Sequence, residues 1–269
     1  MNRALQDISI GGYLPGDSAL HRLDPRTKLA GFVALLVCVF TAGSGVALAV
    51  SGVAVTALAS ASMAGIKVWW WGLGRFLWML AMAAGLNAFL HSDGVPISVV
   101  GYELPFTHEG VCAGLWFSAQ LTLAILLSMT LTFTTTPRDL TRGCEKLASP
   151  LERFNVRVGE IGVVLLLAMR FVPLLQLELR SIVDAQKSRG IDLSHGGLAE
   201  RSRNLVAVLV PALLGTLRRG DRLAEAMATR GFQPDAPRSD FRPLRFNRGD
   251  CVAFAGITVF FLCHMFWLR

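Results

Sequence analysis

The sequence predicts an all-α polytopic membrane protein, with about five transmembrane helices and a cytoplasmic or interfacial module of amphipathic helices. Three observations carry that reading. Of 269 residues, 53% are hydrophobic and only 17% charged, and the mean hydropathy is +0.50. A soluble domain carries about 45–50% apolar and about 25% charged residues. The apolar residues fall in long runs, which argues against a soluble enzyme of one or two domains, and their abundance excludes disorder. Finally, the net charge of +7 has one address: residues 137–249 hold 19 Lys/Arg against 12 Asp/Glu, a surplus of seven.

The first 28 residues are polar and turn-rich and lack the early apolar run of a cleaved signal peptide. Leu29 to Ile66 is 38 residues without a charge. A single helix of that length would rise about 57 Å, nearly twice the hydrocarbon core. Gly43-Ser44-Gly45 breaks it, giving spans at about 25–42 and 46–66. A third span runs from about Trp69 to Leu90, opened by Trp69-Trp70-Trp71 at the membrane interface. Arg75 lies one to two turns inside it and reaches back to the headgroups. A fourth runs from about Val111 to Phe133 and a fifth from Val252 to Leu268. Thr136-Pro137-Arg138-Asp139 reads as a helix cap after the fourth.

Loop charge orients the spans. Arg3, Arg22, Arg26 and Lys28 precede the first, the 91–109 loop has no Lys or Arg, and 137–249 is basic. By the positive-inside rule the N-terminus and 137–249 face the cytoplasm, while 91–109 and the C-terminus face outward. The expected divisions are 1–136, 137–249 and 250–269. Two apolar islands, Ile161 to Leu175 and Leu205 to Leu217, interrupt the basic stretch. They are expected to be core helices of a cytoplasmic domain or a re-entrant pair; alternatively they add a sixth and seventh span.

Similar text follows both islands. Asp184-Ala185-Gln186-Lys187-Ser188-Arg189-Gly190 aligns with Glu225-Ala226-Met227-Ala228-Thr229-Arg230-Gly231, 41 residues on, with Pro173 and Pro211 upstream. Each unit reads as a proline, an apolar start, an amphipathic helix and an Arg-Gly stop. Arg suits the negative end of the helix dipole, and Gly at C′ permits a left-handed residue. Ending a helix is therefore a sufficient structural role for one copy; two copies on one side of the membrane point further. Leu223, Ala226, Met227 and Arg230 fall at i, i+3, i+4 and i+7, so the arginine tips an apolar stripe. Such a helix suits a groove on a partner, with the guanidinium on a carboxylate. The extra-span alternative would put the two ends on opposite sides.

Other candidates are weaker. Cys38, Cys112, Cys144, Cys251 and Cys263 form no CxxC pair and read as buried small hydrophobes. His91, Asp93, His108 and Glu109 match no strong metal-ligand spacing, and His195 and His264 are isolated. Asn87 and Gln120 read as helix-packing hydrogen bonds, and Gly31, Gly52 and Gly85 either as places of close helix approach or as part of a sliding surface for a partner subunit. Residues 234–249, with Pro234, Pro237, Pro243 and four arginines, read as a linker on anionic headgroups; nucleic-acid binding is the weaker reading, since no recognised fold accompanies the charge.

The N-terminal run Gly12-Tyr13-Leu14-Pro15-Gly16-Asp17-Ser18-Ala19-Leu20-His21-Arg22-Leu23-Asp24-Pro25-Arg26-Thr27-Lys28-Leu29 contains a Pro-Gly turn and a helix start, Asp24 capping and Pro25 first. Together with Arg170-Phe171-Val172-Pro173 and the two Arg-Gly helices, it resembles the T component of energy-coupling-factor (ECF) transporters over nearly the whole chain, in the same order. That family commonly has Ala before Arg, where this chain has Ser188 and Thr229, also small. The resemblance implies a non-catalytic, multi-pass subunit of a vitamin or metal-ion importer in a prokaryotic cell membrane. Ser188-Arg189-Gly190 and Thr229-Arg230-Gly231 would dock on two ATP-binding-cassette ATPases, and a separate S component would bind the substrate. Asp184, Glu225, Leu223 and Met227 would support the docking helices. No cofactor or metal is implied.

The residues agree with that division of labour. No G-x-x-x-x-G-K-[ST] phosphate loop occurs, so ATP hydrolysis belongs to a partner. The spans hold almost no ionisable groups, whereas a stand-alone permease usually shows a polar path. A membrane-embedded enzyme acting on a lipid phosphate would need clustered Asp, Glu or His facing the bilayer. Asp184 and Glu225 instead lie one per helix, where nearby bases are expected to pair with them.

Overall fold

The computed structural model describes residues 16, 18, 20–62, 66–90, 96–99, 102–154, 157–191, 197–233 and 248–267. The order is α1 (Pro25–Thr41), α2 (Gly45–Ala61), α3 (Ile66–Leu90), β1 (Pro96–Val99), β2 (Tyr102–Thr107), α4 (His108–Thr134), α5 (Pro137–Ala148), a 3-10 helix (Ser149–Phe154), α6 (Val158–Ser188), α7 (Leu198–Thr229) and α8 (Arg248–Trp267). The chain divides into two units, Met1–Leu147 with Leu244–Arg269, and Ala148–Pro243.

The first unit is a helical bundle whose ends were written in the sequence. Asp24 caps α1 by accepting from the Arg26 amide at 2.9 Å, with Pro25 in the first helical position. Ser44 caps α2 by accepting from the Ala47 amide, so the Gly-Ser-Gly break holds. Thr136 accepts from the Asp139 amide and donates to its carboxylate, starting α5.

Packing inside the bundle alternates in direction. Trp69 stacks edge-on against Phe133, the Met129 methyl fills the space over Gly72, and Gly114 meets the Ala84 carbonyl, so α3 and α4 run antiparallel. Gln120 donates to the Val39 carbonyl at 3.1 Å, which joins α4 to α1 as an interhelical hydrogen bond. Asn87 instead bonds within its own helix, to the Ala83 carbonyl. Gly31 admits Ile257 of α8 and Gly52 admits Leu123 of α4, while Gly85 faces open space. The apolar core centres on Leu35, Val39, Val55 and Leu127.

A polar cluster ties one end of this bundle together. The Asp24 amide donates to the Asp250 carboxylate at 2.7 Å, fixing the start of α8 beside the start of α1. Lys28 donates to the Thr134 carbonyl at 2.9 Å, supplying positive charge to the C-terminus of α4, with Asp24, Asp139 and Asp250 around it. The opposite end carries the β1–β2 hairpin, with Ser98 opposite Glu103, in what the sequence offered only as a loop.

Helices Trp69–Phe89, Glu109–Thr134, Val158–Ser188 and Gly249–Phe266 are long and apolar enough to cross a membrane. Three match the spans expected at 69–90, 111–133 and 252–268. The first two expected spans form helices of 17 residues each, about 26 Å long. The expectation of buried cysteines is corrected: Cys38 is buried, but Cys112, Cys144, Cys251 and Cys263 are exposed on the helix surfaces.

In the second unit, both apolar islands lie within longer helices. α6 has 31 residues and runs through Pro173; α7 has 32 and runs through Pro211. The reading of the islands as core helices is overturned, because Ile161, Leu165, Leu174, Leu205, Leu209 and Leu213 are all exposed. α6 has the length and composition of a span. α7 falls short: the charges at Arg203 and Arg218 leave 14 residues between them, about 21 Å of helix.

Candidate functional site: two arginine-glycine helix ends

The sequence repeat becomes a repeat in backbone geometry. α6 ends at Ser188 and α7 at Thr229, with Arg189 and Arg230 as the C-caps. Gly190 and Gly231 follow with φ of +84° and +70°, in the left-handed region. The Gly190 amide donates to the Lys187 carbonyl at 2.9 Å and the Ile191 amide to the Gln186 carbonyl at 3.1 Å. In the second copy Gly231 donates to Ala228 at 3.0 Å and Phe232 to Met227 at 3.0 Å. Both ends are thus Schellman motifs, with every bonded position offset by the same 41 residues. Each turns the chain away sharply and leaves its arginine exposed on the last turn. Neither guanidinium has an acidic partner among the described residues.

The supporting residues separate. Leu223 and Met227 are half-buried, so the stripe that Arg230 tips is partly covered. Asp184 and Glu225 are exposed, and the expected pairing with nearby bases is corrected: neither has an ion-pair partner among the described residues, because water already solvates them. Ser188 donates its hydroxyl to the Asp184 carbonyl, and Thr229 to the Ala226 carbonyl.

Three contacts that sequence reasoning did not find hold α6 to α7. Pro211 has no amide hydrogen, so the Ala207 carbonyl one turn earlier loses its helical donor. The Gln186 side chain, 8% exposed, supplies the replacement at 3.3 Å. Glu178 pairs with Arg219 at 2.7 Å, and it approaches over Gly215, where a Cβ would lie 2.7 Å from its carboxylate oxygen. As α6 is followed back from 186 to 178, its partners advance from 207 to 219, so the helices cross in an antiparallel sense. Their arginine ends therefore diverge. From Ala207 to Arg230 is 23 residues, up to about 35 Å of helix. Only the proline rule, applied to Ala207, could have signalled any of this in advance.

Little else among the described residues gathers chemistry. A cavity of about 430 Å³ in the bundle is lined by apolar side chains such as Leu35, Leu127 and Ile257, with Lys28, already bonded to carbonyls, at its edge. Among the described residues no group of three or more His, Cys, Asp or Glu could hold a metal. His91, Asp93, His195, residues 234–247 and much of the N-terminal run, including Gly12 to Pro15, lie outside the described residues.

Comparison with known proteins adds the context. A family model described as CbiQ, cobalt transport protein, matches residues 16–241. The chain is 34% identical over 268 residues to the energy-coupling factor transporter transmembrane protein EcfT of Leuconostoc gelidum, covering 98% of this chain and 100% of that one. It is 36% identical to the EcfT of Ruminiclostridium cellulolyticum, covering 96% of each. It is also 34% identical over 248 residues to a putative ABC transporter ATP-binding protein of Bifidobacterium longum, of which it spans 31%.

Proposed function

The chain belongs to the CbiQ cobalt-transport-protein family, among the transmembrane T components of energy-coupling-factor transporters, and on that premise we propose that it links two ATP-binding-cassette ATPases to a substrate-binding S component in an importer of vitamins or metal ions. Arg189 and Arg230, each held out by its Schellman turn, enter one groove on each ATPase and fork a carboxylate there. Ser188, Gly190, Thr229 and Gly231 shape the two ends, and Leu223 and Met227 seat the second helix, with Asp184 and Glu225 on the exposed sides. The carrying observation is the pair of equally capped, unpartnered arginine ends on helices that diverge, which suits two partners better than one. A relative in which a similar stretch forms part of a protein named as ATP-binding supports the partnership.

In this reading the chain itself is not an enzyme. Closure of the ATPase pair on ATP draws the two arginine ends together. Because Gln186 and the Glu178–Arg219 pair join α6 to α7, that movement reaches both helices and, through their exposed apolar faces, the S component. The N-terminus and both arginine ends lie in the cytoplasm of a prokaryotic cell, and cysteines placed near 190 and 231 are both labelled from that side.

The decisive experiment is co-purification of the complex carrying Arg189→Glu, Arg230→Glu or both. Breaking a desolvated charge pair costs about 2–5 kcal/mol, or about 30-fold to several thousand-fold in affinity. Each single variant should lose one ATPase contact, and the double should leave the membrane with no bound ATPase. Recovery of both ATPases at wild-type yield with the double variant would overturn the proposal.

A further inference from the structure

The third helix has two faces of different character. Trp69 and Gly72 pack on α4. On the other side Trp71, Arg75, Trp78 and Met82 stand at i, i+4, i+7 and i+11, a single stripe, and all are exposed, the two indoles at 70% and 79%. Arg75 is the sole ionisable residue between Trp69 and Phe89. Its guanidinium carbon lies 4.0 Å from the centre of the Trp71 ring, one turn nearer the helix start. The side chain thus runs back toward the aromatic cluster that marks the bilayer interface. α3 has no Asp or Glu, and among the described residues no acidic group pairs with Arg75.

A guanidinium inside a span is costly, and its contact with an indole offsets part of that cost. The ring offers the guanidinium no oxygen acceptor for its five N–H donors, and no hydrogen bond from Arg75 is made among the described residues. The anion a bilayer offers at this level is a lipid phosphate, which accepts in a bidentate fork. A zwitterionic headgroup brings its own ammonium, which competes for the phosphate and repels the guanidinium. We propose that Trp71, Arg75 and Trp78 form a docking site for one anionic phospholipid, its phosphate on Arg75 and its upper acyl chain along Trp78 and Met82. The site requires only that α3 crosses the membrane and is independent of ATPase docking.

Native mass spectrometry of the full chain in mild detergent, titrated with phosphatidylglycerol or with phosphatidylcholine of the same acyl chains, tests this. The wild type should retain one phosphatidylglycerol at least tenfold more tightly than phosphatidylcholine. Arg75→Gln should abolish that preference, and Arg75→Lys, a point charge without the fork, should keep part of it. Trp78→Leu leaves the charge in place and should weaken both lipids severalfold. Equal retention of the two lipids by the wild type, or an unchanged preference in Arg75→Gln, would overturn the site. So would loss of a protein partner from Arg75→Gln with lipid binding intact, which would make the stripe a protein interface.

Discussion

The bundle and the α6–α7 pair are both helical and apolar, yet their helices are joined in different ways. In the bundle, glycines let helices approach closely: Gly31 takes Ile257, Gly72 takes Met129 and Gly114 lies on the backbone of Ala84. Polar side chains join some of its helices, Gln120 to Val39 and Lys28 to Thr134. In the pair, leucines such as Leu165, Leu174, Leu205 and Leu213 are exposed, the two end glycines have no neighbour within 4 Å, and the terminal arginines are unpartnered among the described residues. Both regions keep apolar surface outside, the stripe on α3 included, and the pair adds two capped arginine ends with no acidic partner among the described residues.

Substitutions can break that contrast. The largest effect is expected from Gly114→Val in the bundle, whose Cβ would lie 2.5 Å from the Ala84 carbonyl oxygen, a backbone atom that cannot swing aside. Overpacking of this kind costs about 3 kcal/mol or more, so the protein should melt many degrees lower in detergent and accumulate poorly in membranes. Next comes Gln186→Leu, which leaves the Ala207 carbonyl without a donor, at a cost of about 1–3 kcal/mol. Hydrogen exchange should rise around 205–212 while the bundle stays protected.

Smaller in stability but sharper in meaning are Gly190→Ala and Gly231→Ala. A side chain in the left-handed region costs about 1–2 kcal/mol, and nothing crowds either glycine. The expected result is a melting temperature lower by about a few degrees with much weaker ATPase recovery. An unchanged recovery would return both motifs to the role of plain helix stops. Smallest is Glu178→Ala: the pair with Arg219 is partly exposed and worth under about 1 kcal/mol. It should leave melting untouched while loosening the crossing, read as faster proteolysis between 190 and 200.

How legible the molecule was in its sequence divides along the same line. Where one physical rule acts alone, the residues announced the structure. Uninterrupted apolar runs gave the helices at 69–90, 111–133 and 252–268, and Asp24-Pro25, Ser44 and Thr136-Asp139 marked helix starts. The Arg-Gly ends were visible because glycine at a left-handed C′ is a local requirement. Where two rules compete, the sequence misled. α6 continues through Arg170 and Pro173 and α7 through Pro211, and at Pro211 the Gln186 side chain satisfies the carbonyl that the proline leaves open. The crossing itself rests on Gln186, Glu178, Gly215 and Arg219, four residues of ordinary type whose meeting depends on tertiary arrangement. The turn from an indole to a guanidinium at Trp71 and Arg75 could be suspected from i, i+4 spacing, but not their shared exposure.

The hydrogen bond from the Asp24 amide to Asp250 joins residues 226 positions apart. Everything between them, including both arginine-ended helices, is a loop closed at that point. Because synthesis runs from the N-terminus, Asp24 waits for its acceptor until nearly the whole of this stretch has been made. α8 is therefore the last element to join α1, and a truncation before Asp250 would remove both the acceptor of the Asp24 amide and the Ile257 side chain packed over Gly31.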